Sequence, residues 1–157
     1  MRMYRSQDKD SIIQMIDSIY KEYGDFIYLE GYDRDLLDIE NNYFSNGKFW
    51  VETVDDDDSK IIGSIAVKKE LDIEDTALMK RFYLLPEYRG LGLAKKMHYT
   101  AIDWCKQNQI RKLHLWSDTR FTRAHSFYQK NGYKQGETID RYDGGMPYQE
   151  YYFMKLL

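Results

Sequence analysis

The residues best equipped for chemistry lie in one string: Pro86-Glu87-Tyr88-Arg89-Gly90-Leu91-Gly92-Leu93-Ala94-Lys95-Lys96-Met97. Turn residues and two glycines open it. From Leu93 onward Met97, Ala101, Trp104 and Cys105 follow three or four apart, the spacing of an amphipathic helix. A helix that starts there exposes unpaired backbone N–H groups on its first turn and carries partial positive charge at that end. Glycines allow an anion close to such a backbone, so the loop suits a phosphate or pyrophosphate, and Arg89 can add a charge-assisted contact. Two familiar phosphate motifs are absent. No Gly-x-x-x-x-Gly-Lys-Ser/Thr string exists, and Gly90-Leu91-Gly92-Leu93-Ala94 runs into Lys95 where a dinucleotide fingerprint needs a third small residue. Alone, a Gly-x-Gly turn could serve only to tighten a strand–helix joint.

A second string accompanies it: Arg123-Ala124-His125-Ser126-Phe127-Tyr128-Gln129-Lys130-Asn131-Gly132-Tyr133. Together the two carry a resemblance. Arg89-Gly90-Leu91-Gly92-Leu93-Ala94 matches the Arg/Gln-x-x-Gly-x-Gly/Ala signature of the GNAT superfamily of acetyl-CoA-dependent N-acetyltransferases. The second string resembles that family's Ala-x-x-Phe/Leu-Tyr-x-x-x-Gly-Phe/Tyr marker. The likeness is strongest over residues 60–133, and the element order agrees with the family along the chain.

The resemblance implies a cofactor lying where two parallel strands splay, here residues 77–85 and 112–117. Strand backbone near Phe82, Tyr83 and Leu84 would hold the pantetheine arm and polarise the acetyl carbonyl. The N–H groups of Gly90, Leu91, Gly92, Leu93 and Ala94 would take the pyrophosphate, beside Arg89. Tyr128, one of fifteen tyrosines, occupies the family position that protonates the departing CoA thiolate. The implied reaction is direct attack of a neutral amine on acetyl-CoA in a ternary complex. Two departures stand out. Phe121 replaces a frequent asparagine, and residues 77–85 contain no carboxylate to act as base. Glu70, Glu74 and Asp75 lie just upstream as solvated loop charges or as the far end of a water relay. His125 could share a helix face with Tyr128, and no base is assigned. These departures support an alternative: a catalytically degenerate member that binds CoA as a sensor or interaction module.

The family shapes its acceptor site from the first two helices and the last hairpin. Here the helical region holds Tyr20, Tyr23, Phe26, Tyr28, Tyr32, Tyr43 and Phe44, with Asp25, Glu30, Asp33, Asp35 and Asp38. Such a mixture suits a cationic amine through cation–π and charge contacts, and equally fits a helix pair with a wet acidic face. The acceptor expected is a small-molecule amine rather than a protein lysine or N-terminus.

The elements that position these residues follow from periodicity. Ile12, Ile13, Ile16, Ile19, Tyr20 and Tyr23 mark a helix closed by Gly24, and a weaker helix fits residues 33–43. Strands are predicted at 48–54, 60–68, 77–85, 112–117, 133–139 and 148–156, and helices at 90–107 and 122–131. The acidic run at 55–58 reads as a hairpin tip, not a calcium loop, because it lacks spaced ligands and a glycine turn. Hairpins followed by a β-α-β crossover predict a mixed α/β fold: about seven strands with a splayed parallel pair, flanked by about four helices.

Composition bounds the rest. At 157 residues the chain suits a single domain spanning 1–157. Lys and Arg total 23 against 26 Asp and Glu, and the basic pairs are scattered, which argues against nucleic-acid binding. One cysteine, Cys105, permits neither an internal disulfide nor a cysteine-rich zinc site, and His98 and His114 lack ligand spacing, so no metal is expected. The opening Met1-Arg2-Met3-Tyr4 is no secretory signal and no run reaches membrane-spanning length, which points to the cytoplasm. The oligomeric state is left open, a homodimer included.

Overall fold

The computed structural model describes residues 1–54 and 57–157. Its strands are β1 (Arg2–Met3), β2 (Gly47–Val54), β3 (Asp57–Lys69), β4 (Thr76–Leu84), β5 (Lys112–Asp118), β6 (Lys134–Asp143) and β7 (Met146–Leu156). They form one mixed sheet in the order β1-β2-β3-β4-β5-β7-β6, in which β4 and β5 are parallel. The α-helices are α1 (Lys9–Lys21), α2 (Ile39–Tyr43), α3 (Leu93–Gln107) and α4 (Thr122–Lys130). This is the expected mixed α/β architecture.

The two faces of the sheet are set by residue alternation. On β2, Phe49 and Val51 point to a cluster with Ile12, Ile16 and Ile19 of α1, whereas Trp50 points to the opposite cluster with Met97, Ala101 and Cys105 of α3. Successive strand side chains face opposite sides, so both faces of a central strand must be apolar. The buried run Ile61–Val67 of β3 meets that demand. Each fully buried isoleucine contributes roughly 1.5–3 kcal/mol. The sheet is thereby sandwiched between α1 and α2 on one side and α3 and α4 on the other.

β4 and β5 pair only at Thr76–Lys112, Ala77–Leu113 and Leu78–His114. Beyond that point β4 stays with β3 as far as Leu84, and β5 stays with β7 as far as Asp118. The pair therefore opens like a V toward the strands' C-terminal ends. A register shift in the β3–β4 ladder between Ser64 and Ala66 accompanies Arg81, a non-glycine residue at φ 55°. Such a bulge bends its strand and increases local twist, and it sits where the strands part.

Three sequence expectations need adjustment. Residues 33–43 do not form one helix: a 3-10 turn (Arg34–Leu37) and the short α2 are separated by Asp38, whose carboxylate accepts a hydrogen bond from Asn41 N. Asp38 caps a new helix because its short side chain competes with the backbone for that donor. The helix expected from Gly90 begins at Leu93, because Gly90 and Gly92 adopt φ 81° and 83°, outside helical geometry. The final hairpin is longer than expected, with Gly144 and Gly145 at its turn. Of the acidic run, Asp55 and Asp56 lie outside the described residues, while Asp58 ends on Arg2 and Arg5.

Candidate active site

The V contains a cavity of about 730 Å³, a size that suits a small-molecule ligand. Of the residues singled out by sequence, Phe82, Tyr83, Leu84, Arg89, Gly90, Ala94 and Tyr128 line it; Leu91, Gly92 and Leu93 do not. Leu91 projects into solvent. A Cβ built on Gly90 or Gly92 would meet nothing within 4 Å, so the loop is open space on that side. The first intrahelical bond of α3 runs from Lys96 N to Gly92 O, which leaves the N–H groups of the preceding turn aimed out of the helix end. This is a fitting cradle for a pyrophosphate.

Arg89 is not idle. Its Nε donates to Leu84 O at 2.9 Å, and its two terminal nitrogens donate to Glu22 Oε1 and Oε2 at 2.8 and 2.9 Å. The guanidinium thus ties the end of α1 to the end of β4 beside the cradle.

Tyr128 belongs to α4 and is buried among Phe82, Phe127, Tyr133 and Phe153. Its hydroxyl makes no hydrogen bond among the described residues, while the residue itself lines the cavity. Burial, followed by the field of Tyr83, pushes the phenol well above its ordinary value, so it stays protonated. Phe82 and Tyr83 point to opposite faces of β4. Phe82 packs toward Tyr128, and the Tyr83 hydroxyl bonds the Tyr20 hydroxyl at 2.9 Å.

The histidines are structural. His125 Nε2 donates to the Asp118 carbonyl at 2.9 Å, and His98 Nε2 is hydrogen-bonded to the Tyr133 hydroxyl at 2.9 Å. His114 meets Glu70 at 2.9 Å. Glu70, Glu74 and Asp75 lie ahead of β4, at the closed end of the V, and do not line the cavity. Cys105 is buried and its thiol is pushed up to about 12 by desolvation. Among the described residues no three His, Cys, Asp or Glu side chains gather as a metal site would need, and no helix is long and apolar enough to cross a membrane.

The half of the cavity where an acceptor was expected differs from the aromatic-acidic patch read from sequence. Tyr20, Tyr23, Asp25, Phe26, Tyr28, Tyr32 and Asp33 do line the cavity, with Phe121 packed against Tyr20 and Tyr23. Tyr43 is instead a core residue bonded to Asp35, Phe44 packs on Tyr4, and Glu30, Asp35 and Asp38 lie off the cavity. Most of the acids are neutralised in place. Arg81 pairs with both Asp33 and Asp35, and Arg120 bridges Asp25 and Asp118. The last hairpin contributes as the family resemblance implies, but the residues that do so, and the share of β5, were not named from sequence: Trp116, Asp118, Arg141, Tyr148 and Glu150 form the opposite wall. The signal was there in the period-2 pattern of Tyr148, Glu150 and Tyr152, which puts an acid on an inward aromatic row.

The comparisons agree with this geometry. The model of the acetyltransferase (GNAT) family matches residues 13–133, and the chain belongs to that family. A protein named "Probable N-acetyltransferase camello" from Xenopus tropicalis is 29% identical over 104 residues, 65% of this chain and 46% of the relative. The chain thus spans about half the length of that relative. Among solved structures, an acetyltransferase of the GNAT family from Staphylococcus aureus Mu50 superposes with a TM-score of 0.81 at 22% identity, covering 98% of this chain and 96% of that one. An acetyltransferase from Streptococcus agalactiae 2603 gives a TM-score of 0.81 at 23% identity, with 100% and 96% covered. At these identities the structures speak for the fold alone.

Proposed function

We propose that the chain, acting as one domain over residues 1–157, transfers an acetyl group from acetyl-CoA to the primary amine of a small molecule, by direct attack within a ternary complex. One observation carries the reading: the V between β4 and β5 runs from the open glycine loop at the head of α3 to a wall bearing Tyr128. The N–H groups from Gly90 to Ala94 receive the pyrophosphate. The unpaired edge of β4 around Phe82, Tyr83 and Leu84 aligns the pantetheine arm and supplies fixed dipoles to the carbonyl oxygen, where negative charge grows. As the C–N bond forms and the C–S bond breaks, the Tyr128 hydroxyl gives its proton to the departing thiolate, and the proton shed by the acetylated nitrogen returns through water to restore the phenol. The apolar wall of Phe82 and Phe127 keeps water from competing for the acetyl group.

Thermal unfolding measured in parallel with acetyl-CoA, CoA, NAD and ATP tests the cofactor. A ligand at a hundred times its dissociation constant stabilises the native state by about 2.7 kcal/mol. Stabilisation by acetyl-CoA and CoA alone supports the reading, and thiol release with a panel of primary amines then tests transfer. No stabilisation at millimolar acetyl-CoA overturns it. Tight CoA binding without thiol release across the panel would favour the binding-module alternative.

A further inference from the structure

Five carboxylates line the cavity, and their hydrogen bonds separate them. Both oxygens of Asp25, Asp33 and Asp118 are engaged. Asp25 accepts from Phe26 N and Arg120; Asp33 from Tyr20, Arg81 and Tyr28 N; Asp118 from Arg120 through its backbone N–H and its guanidinium. Asp143 accepts from Tyr32 N and sits part-exposed at the hairpin end. Glu150 is different. It is 3% exposed, opposite Asp118 in the β5–β7 ladder, and its Oε2 accepts from Arg141 Nε at 2.8 Å. Its Oε1 makes no hydrogen bond among the described residues. The sealed, unpaired polar side-chain atoms among those residues are Glu52 Oε2, His98 Nδ1 and His114 Nδ1, so Glu150 Oε1 keeps an opening onto the cavity that its residue lines.

A carboxylate oxygen left unbonded by its own fold and open to a cavity is free to accept from a ligand, and a cationic donor bonds it most strongly. The surroundings favour a compact cation with an apolar body. Arg141 holds Oε2 through Nε, with its guanidinium over the Trp116 ring, 5.5 Å from the centroid. Tyr32 and Tyr148 also line the cavity, and Tyr148 stands two residues from Glu150 on the same face of β7. Their rings and Trp116 provide aromatic surface for the carbon body of such a ligand; Lys80 and Arg81 already lie over the Tyr32 ring and Arg141 over that of Trp116, so the ammonium itself is left to Glu150 Oε1.

Resting on the acetyltransferase reading, we propose that Glu150 Oε1 is the docking point of the acceptor's primary ammonium, which releases a proton to cavity water before the neutral amine attacks, and that the acceptor is a small arylalkyl- or alkylammonium whose carbon body packs against Tyr32, Trp116 and Tyr148. Glu150 is thereby the residue that selects a cationic amine over an acidic one.

Phenethylammonium and its acidic counterpart 3-phenylpropionate probe this directly, by tryptophan fluorescence with and without CoA. The wild type should bind phenethylammonium, and Glu150→Gln should bind it roughly tenfold more weakly, the loss of one charge-assisted contact. Glu150→Asp, which keeps the charge and shortens the reach, should fall between them and serves if Glu150→Gln does not fold. 3-Phenylpropionate should bind neither. Equal affinity of wild type and both variants, preference for 3-phenylpropionate, or no binding of phenethylammonium by the wild type at millimolar concentration would each overturn the assignment. The CoA-induced rise in unfolding temperature separates the two readings. It should be the same in wild type and variants; its absence from all of them would sink the acetyltransferase reading, while the CoA-free binding of phenethylammonium still reports on Glu150.

Discussion

Arg81 Nη1 donates to Asp33 Oδ1 at 2.5 Å, across 48 residues of chain, with both side chains almost wholly shielded from water. The same guanidinium donates to Asp35 through Nε and Nη2 and to the Tyr32 carbonyl through Nη2. One side chain, on the bulge of β4, thus pins the segment that enters α2 against the open edge of the V. Asp33 passes the link on to Tyr20, and Tyr20 to Tyr83.

Removing that guanidinium leaves two buried carboxylates without their counter-ion, and breaking a buried pair from one side costs about 3–5 kcal/mol. Arg81→Met should therefore lower the urea midpoint by an amount corresponding to that range. Adding Asp33→Asn and Asp35→Asn to Arg81→Met should recover part of the loss, since neutral amides are cheaper to bury unpaired. A single-variant loss no larger than that of an exposed substitution would show that the network contributes little.

Tyr128→Phe keeps the ring that packs on Phe82 and Phe153 and deletes only the hydroxyl proposed as proton donor. Thiol release at saturating acetyl-CoA should fall by roughly 100-fold or more, the scale of general-acid catalysis, with acetyl-CoA affinity little changed. Burial holds the phenol above its ordinary value, so the hydroxyl is protonated throughout the working range. The wild-type rate should accordingly show no falling limb from this group below about pH 10. Unchanged turnover in the variant would remove Tyr128 from the chemistry.

Arg89 can meet a pyrophosphate only by loosening its grip on Glu22. Glu22→Gln weakens that competitor and should tighten acetyl-CoA binding by a few-fold, because part-exposed ion pairs are worth about 0.2–1 kcal/mol. In an Arg89→Ala background the same Glu22→Gln change should have no effect on affinity. Isothermal titration of the wild type, both single variants and the double variant measures the coupling, and additive effects would mean that Arg89 stays on Glu22 when ligand binds.

Much of this frame was legible beforehand. The period-3.6 pattern located α1, α3 and α4, each with one apolar face to bury, and near-continuous apolar runs located the interior strands, which are buried on both faces. The parallel splay followed only from the family resemblance; no local pattern encodes where two strands part. The break at Asp38 was missed because Leu36, Leu37 and Ile39 keep a helical rhythm while a capping hydrogen bond overrides it. The neutralisation of Asp33 and Asp35 was invisible for another reason. It depends on a bulge that turns Arg81 into the space beside α2, and a bulge is a property of the pairing between strands. Glu150 was half legible: its alternation with Tyr148 and Tyr152 gives the face it shares, while its burial is decided by β5 and β6 on either side.

His98 links the core to pH. It is buried on α3 with Nε2 on the Tyr133 hydroxyl and Nδ1 unpaired, and burial, with a smaller effect from Lys155, lowers its pKa from 6.5 to about 4. Between those values the unfolded chain holds a proton that the folded one refuses. Stability is therefore complete above pH 6.5, falls as pH drops from there toward 4, and loses about 3 kcal/mol to this group. Burial also lowers His114 and His125, which add to the slope in the same direction. His98→Gln retains a polar partner for Tyr133 and cannot titrate. Urea unfolding at pH 7, 6, 5 and 4 should show a shallower decline for His98→Gln than for the wild type, with the residual slope left to His114 and His125. Parallel declines would mean that His98 takes up its proton without leaving the fold, and that the pocket of Phe82, Phe127 and Tyr133 around it is wetter than its packing implies.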